Sequence, residues 1–429
     1  MSRALPEKRQ VSLTIDTLGA RGDGIADLNG KPVYIPFTLP GETVQADIVQ
    51  TRGEGVSAVA RSIERPSTQR AQPPCPHFGV CGGCAVQHFA YRPYLDWKRD
   101  LVAQALRRRG LADFKLAEIV ATPPARRRRA VLAAMRTRKG TIIGFHERAS
   151  HRLIDLAVCR VLLPELEALL APLRQLLTQI LVSGQNAQVT LNHTDSGIDC
   201  QIAADHAPDL AAREAMAGFA ETHDLARIAW RKGRDAEPVA QRRQPVLRLG
   251  SCAAAVPPGG FLQASREGEA AMRQAVRQWT EGASSVIDLF GGIGTLSLEL
   301  LPQKRVHVVE SDAEAAAAVA QTARLPNLRG NLSVERRDLA DEPVPAQDLG
   351  KYDAAIIDPP RAGAAGQARE LAGSGIATIV AVSCDPGTFA RDARILVDGG
   401  YALEEVIPID QFLWSPHVEL VARFRRNRL

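Results

Sequence analysis

Two groups of residues carry types and spacings that can do chemistry. The first centres on Cys384, in Val380-Ala-Val-Ser-Cys-Asp-Pro-Gly-Thr388. An apolar run over 379–382 stops at Ser383-Cys384, and Asp385-Pro386-Gly387 turns the chain toward a helix beginning near Thr388. A run bounded in this way fits a buried parallel strand. Catalytic groups of open α/β sheets gather at the carboxyl ends of such strands, so a thiol here is placed for nucleophilic chemistry. A lone cysteine is more often a small buried hydrophobe, and its neighbours must decide. The second group is Cys75-Pro-His-Phe-Gly-Val-Cys81-Gly-Gly-Cys84. Its glycine pair lets the backbone fold tightly enough for several sulfurs to face one centre. Metal or iron–sulfur ligation follows, with a fourth thiolate drawn from Cys159, Cys200 or Cys252. Tetrahedral zinc completed by His77 or His88 is the alternative.

A third constellation lies between them. Residues 285–290 read as a buried strand, followed by Gly291-Gly-Ile-Gly294 and a helix expected from Thr295. Glycines at such a turn let the backbone approach a cofactor. Ser297 stands where a dinucleotide fingerprint would have its third glycine, which disfavours a pyrophosphate cofactor. A second strand over 306–310 ends in Glu310, placed for ribose hydroxyls. A third, over 333–338, ends in Asp338, and a fourth ends in Asp358-Pro-Pro-Arg361. Strand, glycine loop, acid-ended strand and Asp-Pro-Pro is the layout of a class I S-adenosylmethionine methyltransferase. Another doubly wound nucleotide-binding domain is the alternative.

The elements that position these groups fall into three units. Residues 1–65 show about five short strands (11–15, 31–36, 43–49 and 56–63 among them) with a hairpin signal at Asn29-Gly30. That pattern suits a small OB-like barrel, a fold that often holds single-stranded nucleic acid. Residues 66–74 read as a linker. The central unit, 66–250, is mixed α+β, with a basic-ended helix over 91–109 and hairpins across Arg138-Lys139-Gly140 and Asp195-Ser196-Gly197. Residues 251–429 form the α/β unit. A chain of 429 residues gives each unit its own core. The opening ten residues lack the apolar core of a secretory signal, and charged and proline residues interrupt 161–182, so a cytoplasmic protein without membrane spans is expected. Seven cysteines in such a chain argue against a disulfide framework. Net charge is only +5, but arginines cluster at 107–109, 126–129, 136–139 and 423–428, which suits a phosphate backbone.

Asp358-Pro-Pro-Arg361, Ser383-Cys-Asp-Pro386 with Ala390-Arg-Asp392, and Asp410-Gln-Phe412 with His417-Val-Glu419 together resemble the RNA uracil-C5 methyltransferase family. The N-terminal barrel resembles its TRAM domain through Gly22-Asp-Gly24 and Leu39-Pro-Gly-Glu42, and Cys75, Cys81 and Cys84 match its cluster motif. The likeness covers nearly the whole chain and is closest to the branch that modifies 23S ribosomal RNA. It implies a Rossmann-like methyltransferase domain behind a TRAM barrel and a cluster-bearing centre. It further implies a [4Fe-4S] cluster on Cys75, Cys81, Cys84 and Cys159, the last following Gly144-Phe145 and Ile154-Asp-Leu-Ala-Val-Cys159. S-adenosylmethionine is then expected against Gln263, Phe290, Thr295, Glu310, Asp338 and Asp358. Cys384 is implied as the nucleophile and Glu419 as the base, acting as a monomer on an unpaired uridine of rRNA. The same reaction on tRNA, or a non-catalytic role in RNA binding and assembly, are the alternatives. Asp385 stands where the family usually has Asn, an added charge expected to oppose thiolate formation. Thr295, Ser265 and Gly291 also depart from the family pattern.

Overall fold

In a computed structural model, residues 10–426 are described; residues 1–9, where no secretory signal is expected, and Arg428 of the last basic cluster lie outside them. The N-terminal unit has six strands where about five were expected: Gln10–Thr14, Thr17–Leu18, Asp23–Leu28, Lys31–Pro36, Thr43–Arg52 and Gly55–Arg65 share one sheet. Asn29 (φ 55°) and Gly30 (φ 79°) are both left-handed between the paired Leu28 and Lys31. This is the two-residue hairpin that Asn-Gly encodes. Leu13, Ile15, Val33, Ile35 and Val44 fill its core. The stretch 66–74 is tied back to this unit. Arg70 donates to the fully buried Glu42 (Nε–Oε1 2.6 Å) and to the carbonyl of Phe37 (2.8 Å).

The middle unit is a seven-stranded sheet. Both expected hairpins are present, Arg129–Thr137 with Gly140–His146 and Asn186–Thr194 with Gly197–Ala203. Helices Leu170–Ile180 and Leu210–Thr222 supply Leu173, Leu177 and Met216 to the same core as Leu132, Val189 and Trp230.

The C-terminal sheet positions the site. Its strands are β1 (Ser285–Leu289), β2 (Arg305–Glu310), β3 (Leu332–Arg336), β4 (Ala354–Ile357), β5 (Thr378–Ser383), β6 (Tyr401–Asp410) and β7 (Glu419–Arg426). They run in the order β3-β2-β1-β4-β5-β7-β6. The first five are parallel, and β7 is antiparallel to both neighbours. Every residue of β1, β4 and β5 is buried, as expected of strands covered on both faces. Lys115–Leu116 and Val120–Ala121 pair with β6, so this stretch, assigned by sequence to the middle unit, joins the C-terminal sheet.

One expected element is absent. No α-helix starts at Thr295; the chain turns through Gly294 and makes only a 3₁₀ turn at Leu298–Leu300. Pro302 is the reason. It disfavours helical geometry at the residue before it, and Leu301 is extended (ψ 149°), so the segment is too short to propagate.

Helix α1 (Tyr91–Arg107) locks the end of β6. Lys98 and Asp410 are both fully buried and paired, and Tyr94 Oη donates to Asp410 Oδ2 at 2.7 Å. Lys98 Nζ also donates to the Phe412 carbonyl at 3.0 Å. Among the described residues no helix is long and apolar enough to cross a membrane.

Candidate active site

The carboxyl ends of β1, β2, β4 and β5 open into one cavity of about 660 Å³. Gln263, Phe290, Thr295, Glu310, Asp338 and Asp358 all line it, and so do Cys384 and Glu419. Cys384 follows β5, Asp358 follows β4, and Glu419 opens β7, hydrogen-bonded through the sheet to the end of β6.

The glycine loop works without a helix behind it. Phe290 is left-handed (φ 60°), a strained conformation for a bulky residue, and Gly292 (φ 57°) and Gly294 (φ 81°) continue the turn. At Gly291 a β-carbon would lie 2.7 Å from Val308 and 2.9 Å from Asp288, so this backbone takes glycine where the family often has Cys. Gly292 N–H donates to Glu310 Oε2 at 2.8 Å, and Asp312 N–H to Oε1 at 2.7 Å, which fixes the acid at the end of β2. Asp338 lies two residues beyond β3, where its Oδ1 accepts from Ala340 N–H at 3.0 Å.

Two residues of this wall have roles that the sequence did not assign. Asp288 is the fourth of the five residues of the apolar strand β1 and lines the cavity. Its Oδ2 accepts from Ser297 Oγ at 2.5 Å, while Oδ1 is buried with no partner. Burial, reinforced by Asp358 and Glu310, pushes its carboxyl up to about 7. Ser297, noticed only as a missing glycine, thus anchors a buried acid. A carboxylate inside an apolar run was the available signal.

Gln411 is the other. Its Nε2 donates to Glu419 Oε2 (2.7 Å) and to Gln263 Oε1 (2.9 Å), and its Oε1 accepts from Ala264 N–H (3.1 Å). Gln263 Nε2 then donates to Asp358 Oδ2 at 3.3 Å. A chain of two amides therefore joins the two carboxylates that flank the thiol.

The electrostatics are those of crowded acids. Burial, with Asp358 nearby, pushes Glu419 up to about 8, against the effect of the Gln411 hydrogen bond. Burial likewise raises Asp358 to about 7. The Cys384 thiol stands at about 11, raised by burial, then by Glu419 and Asp358, and partly relieved by Arg361. Asp385, expected to oppose the thiolate, is occupied elsewhere. Its Oδ1 caps helix α2 (Pro386–Asp398) at Gly387 N–H (2.9 Å) and Thr388 N–H (3.0 Å), and its Oδ2 faces Arg361 Nε at 3.4 Å. An N-cap aspartate facing a guanidinium has its charge largely compensated.

The arginine run at 126–129 is only partly a surface. Arg128 is 1% exposed, pairs with buried Glu269, and donates to the Gln263 carbonyl at 3.1 Å. Arg127 and Arg129 line the cavity, Arg129 over the exposed ring of Phe261 at 5.2 Å. Arg136 is held by the Thr178 carbonyl at 3.0 Å, and Arg423 by Glu404 at 2.8 Å. Arg107, Arg108 and Arg109 are exposed.

Cys75, Cys81, Cys84 and Cys159 line a second cavity, of about 320 Å³. Cys200 and Cys252 are buried in the cores of the middle and C-terminal units, away from it. Gly82 lies against the strand Gly140–His146, where a β-carbon would come within 2.7 Å of the His146 carbonyl. Burial pushes the Cys84 thiol up to about 12, and Cys159, Cys81 and Cys75 add to that. His77 lines the same cavity, with Nε2 accepting from Ala157 N–H at 3.2 Å. His88 packs instead against Phe37 and Phe78, both ring nitrogens buried without partners. Among the described residues no three His, Cys, Asp or Glu side chains form a site for a single metal ion.

Residues 8–56 match the TRAM domain family. Over 416 residues the chain is 41% identical to an uncharacterised RNA methyltransferase of Brucella suis, covering 97% of this chain and 98% of the relative. It is 33% identical over 431 residues to the 23S rRNA (uracil(1939)-C(5))-methyltransferase RlmD of Chromohalobacter salexigens, covering 97% of this chain and 89% of that one. Among solved structures, the tRNA (uracil-54, C5)-methyltransferase of Pyrococcus abyssi, in complex with S-adenosyl-L-homocysteine, superposes with a TM-score of 0.75. That match has 24% identity over 96% of this chain and 100% of the other.

Proposed function

The chain belongs to the RNA uracil-C5 methyltransferase family, and from that premise we propose that it methylates C5 of a uridine in 23S rRNA through a covalent bond to Cys384. It is an S-adenosylmethionine-dependent RNA methyltransferase with an N-terminal TRAM domain. The observation that carries the finer reading is the convergence of Cys384, Glu419 and Asp358 in the cavity that also holds the glycine loop and Glu310. A thiol beside a carboxylate of near-neutral affinity has little use in transfer to an exocyclic nitrogen. It is what a poorly nucleophilic ring carbon requires.

The chemistry follows from the groups present. The Cys384 thiolate adds to C6 of the uracil, and the C5–C6 π pair moves to C5, with charge delocalised onto the ring carbonyl. Bound S-adenosylmethionine supplies an electrophilic methyl group. Gln263, Phe290, Thr295, Glu310, Asp338 and Asp358 are proposed to hold it. After C5 has been alkylated, the Glu419 carboxylate takes the C5 proton, the π bond reforms, and Cys384 leaves as the thiolate. A base that titrates near 8 is well matched to that step at neutral pH. A recessed cavity of this kind admits a flipped or unpaired base, not one stacked in a duplex. The TRAM domain, with exposed Arg107 to Arg109, would hold flanking RNA by stacking and phosphate contacts.

For the second cavity we propose a [4Fe-4S] cluster on Cys75, Cys81, Cys84 and Cys159. Four thiols lining one space, with burial raising Cys81, Cys84 and Cys159, form a donor set that a polynuclear cation would complete. Zinc completed by His88 is disfavoured, because that ring lies outside the cavity; His77 lines it, but its Nε2 accepts from Ala157 N–H. The cluster would tie residues 75–84 to Cys159, and no step of methyl transfer needs it. Anaerobically purified protein should contain about four irons and four sulfides per chain; zinc without iron would contradict the assignment. Ribosomal RNA is favoured over tRNA by the higher identity to the 23S enzyme, 33% against 24% for the tRNA enzyme. Mass spectrometry of nucleosides from a deletion strain tests it: 5-methyluridine should fall in 23S rRNA and persist in tRNA. The reverse pattern would move the substrate to tRNA.

A further inference from the structure

Resting on that reading, we propose that Gln411 is the positioning residue for the base: its amide holds Glu419 toward the reacting C5 proton. The orientation of Gln411 is dictated by its surroundings. Its Oε1 faces a backbone donor, Ala264 N–H, so its nitrogen must face the two oxygens on the other side. Gln263 then presents its oxygen to Gln411 and its NH2 to Asp358, with one N–H left for a ligand.

The residue is held to do this. Gln411 is 3% exposed and follows Asp410, which Lys98 and Tyr94 fix from α1. Opposite lies Gly268, where a β-carbon would meet Gln411 Cβ at 2.9 Å. The charged and titratable groups facing Glu419 are Asp358 from the end of β4, Cys384 from the end of β5, and Arg361 near that thiol. None of these donates a hydrogen bond to Glu419; Gln411 alone does so among the described residues. A hydrogen bond donated to a carboxylate favours its ionised form, so losing it lowers the fraction of competent base.

The test separates the base step from the steps before it. With 5-fluorouridine RNA there is no C5 proton to remove, so trapping reports only Cys384 attack and methyl transfer. Gln411→Met keeps the bulk and loses the donor. It should trap fluorinated RNA at the wild-type rate, yet accumulate a denaturant-resistant adduct on ordinary uridine RNA. Its kcat at pH 7.5 should fall roughly tenfold with KM for RNA little changed, and the acid limb of its pH profile should move up by about one pH unit. Gly268→Ala, which crowds Gln411 from the helix Arg266–Trp279 and leaves the amide intact, should also accumulate the uridine adduct. Either variant trapping fluorinated RNA normally but building up no uridine adduct would overturn the proposal. So would loss of fluorouridine trapping in both variants, which would assign Gln411 to the nucleophile's side of the reaction. Failure of the wild-type protein itself to trap fluorinated RNA would instead defeat the uracil-C5 reading.

Discussion

Replacing Glu419 with Gln removes a carboxylate but keeps its shape and its contact with Gln411, and the structure says what should happen to the thiol across the cavity. Cys384 is raised from an ordinary 9.0 to about 11, a displacement of two pH units. Burial is the largest part, and Glu419 comes next, ahead of Asp358, with Arg361 working the other way. The Glu419 charge thus accounts for less than half of the total upward push. Its removal should bring the thiol down by roughly half to one pH unit. Alkylation rate follows the thiolate fraction, so iodoacetamide should modify Cys384 of Glu419→Gln about threefold to tenfold faster than wild type at pH 9. Wild-type Glu419 titrates near 8. At pH 6 it is already neutral, and the two proteins should react alike. Peptide mass spectrometry resolves Cys384 from the other six cysteines. Equal rates at pH 9, or an advantage that persists unchanged at pH 6, would refute the electrostatic account. A variant that cannot remove the C5 proton would thereby carry the more reactive sulfur.

The same carboxyl links activity to stability. Its folded-state value of about 8 lies above the ordinary 4.5, so its contribution is fully present below 4.5 and is lost as pH rises through 8. Glu419→Gln should therefore be more stable than wild type by about 2–4 kcal/mol at pH 8.5 and gain nothing at pH 4.5, as read by urea unfolding. Lys98→Met leaves Asp410 buried with only the Tyr94 hydroxyl as partner and should lose about 3–5 kcal/mol in the same assay. Asp385→Asn keeps the helix cap and gives up a contact with Arg361, whose side chain is 63% exposed; stability should change by under about 0.5 kcal/mol and kcat by under roughly twofold. Cys159→Ser should cut bound iron sharply, whereas Cys200→Ser, in the core of the middle unit, should not.

What the sequence made legible was local. The strands before Phe290, Asp358 and Cys384 are short apolar runs closed by Gly, Pro or Asp, and the ends of such runs define the site. The Asn29-Gly30 hairpin and the tight approach at Gly82 are likewise backbone requirements written in single residues. What stayed hidden depends on partners distant in the chain. Gln411 meets Gln263 across 148 positions, and Arg128 meets Glu269 across 141, so neither the amide chain nor the burial of that arginine shows in a local window. The helix expected from Thr295 failed because a proline seven residues on outweighed the glycine-loop pattern before it. The concern over Asp385 weighed a charge by its neighbour in sequence, when the helix end and Arg361 had compensated it in space.

The bond between sulfur and pyrimidine is open to direct inspection. Wild-type protein incubated with S-adenosylmethionine and 5-fluorouridine-substituted 23S rRNA fragment, then digested and sequenced by mass spectrometry, should show a methylated nucleotide attached to Cys384, with none in Cys384→Ala. Attachment at another residue, or 5-methyluridine still formed at the normal rate by Cys384→Ala on unmodified RNA, would contradict the account.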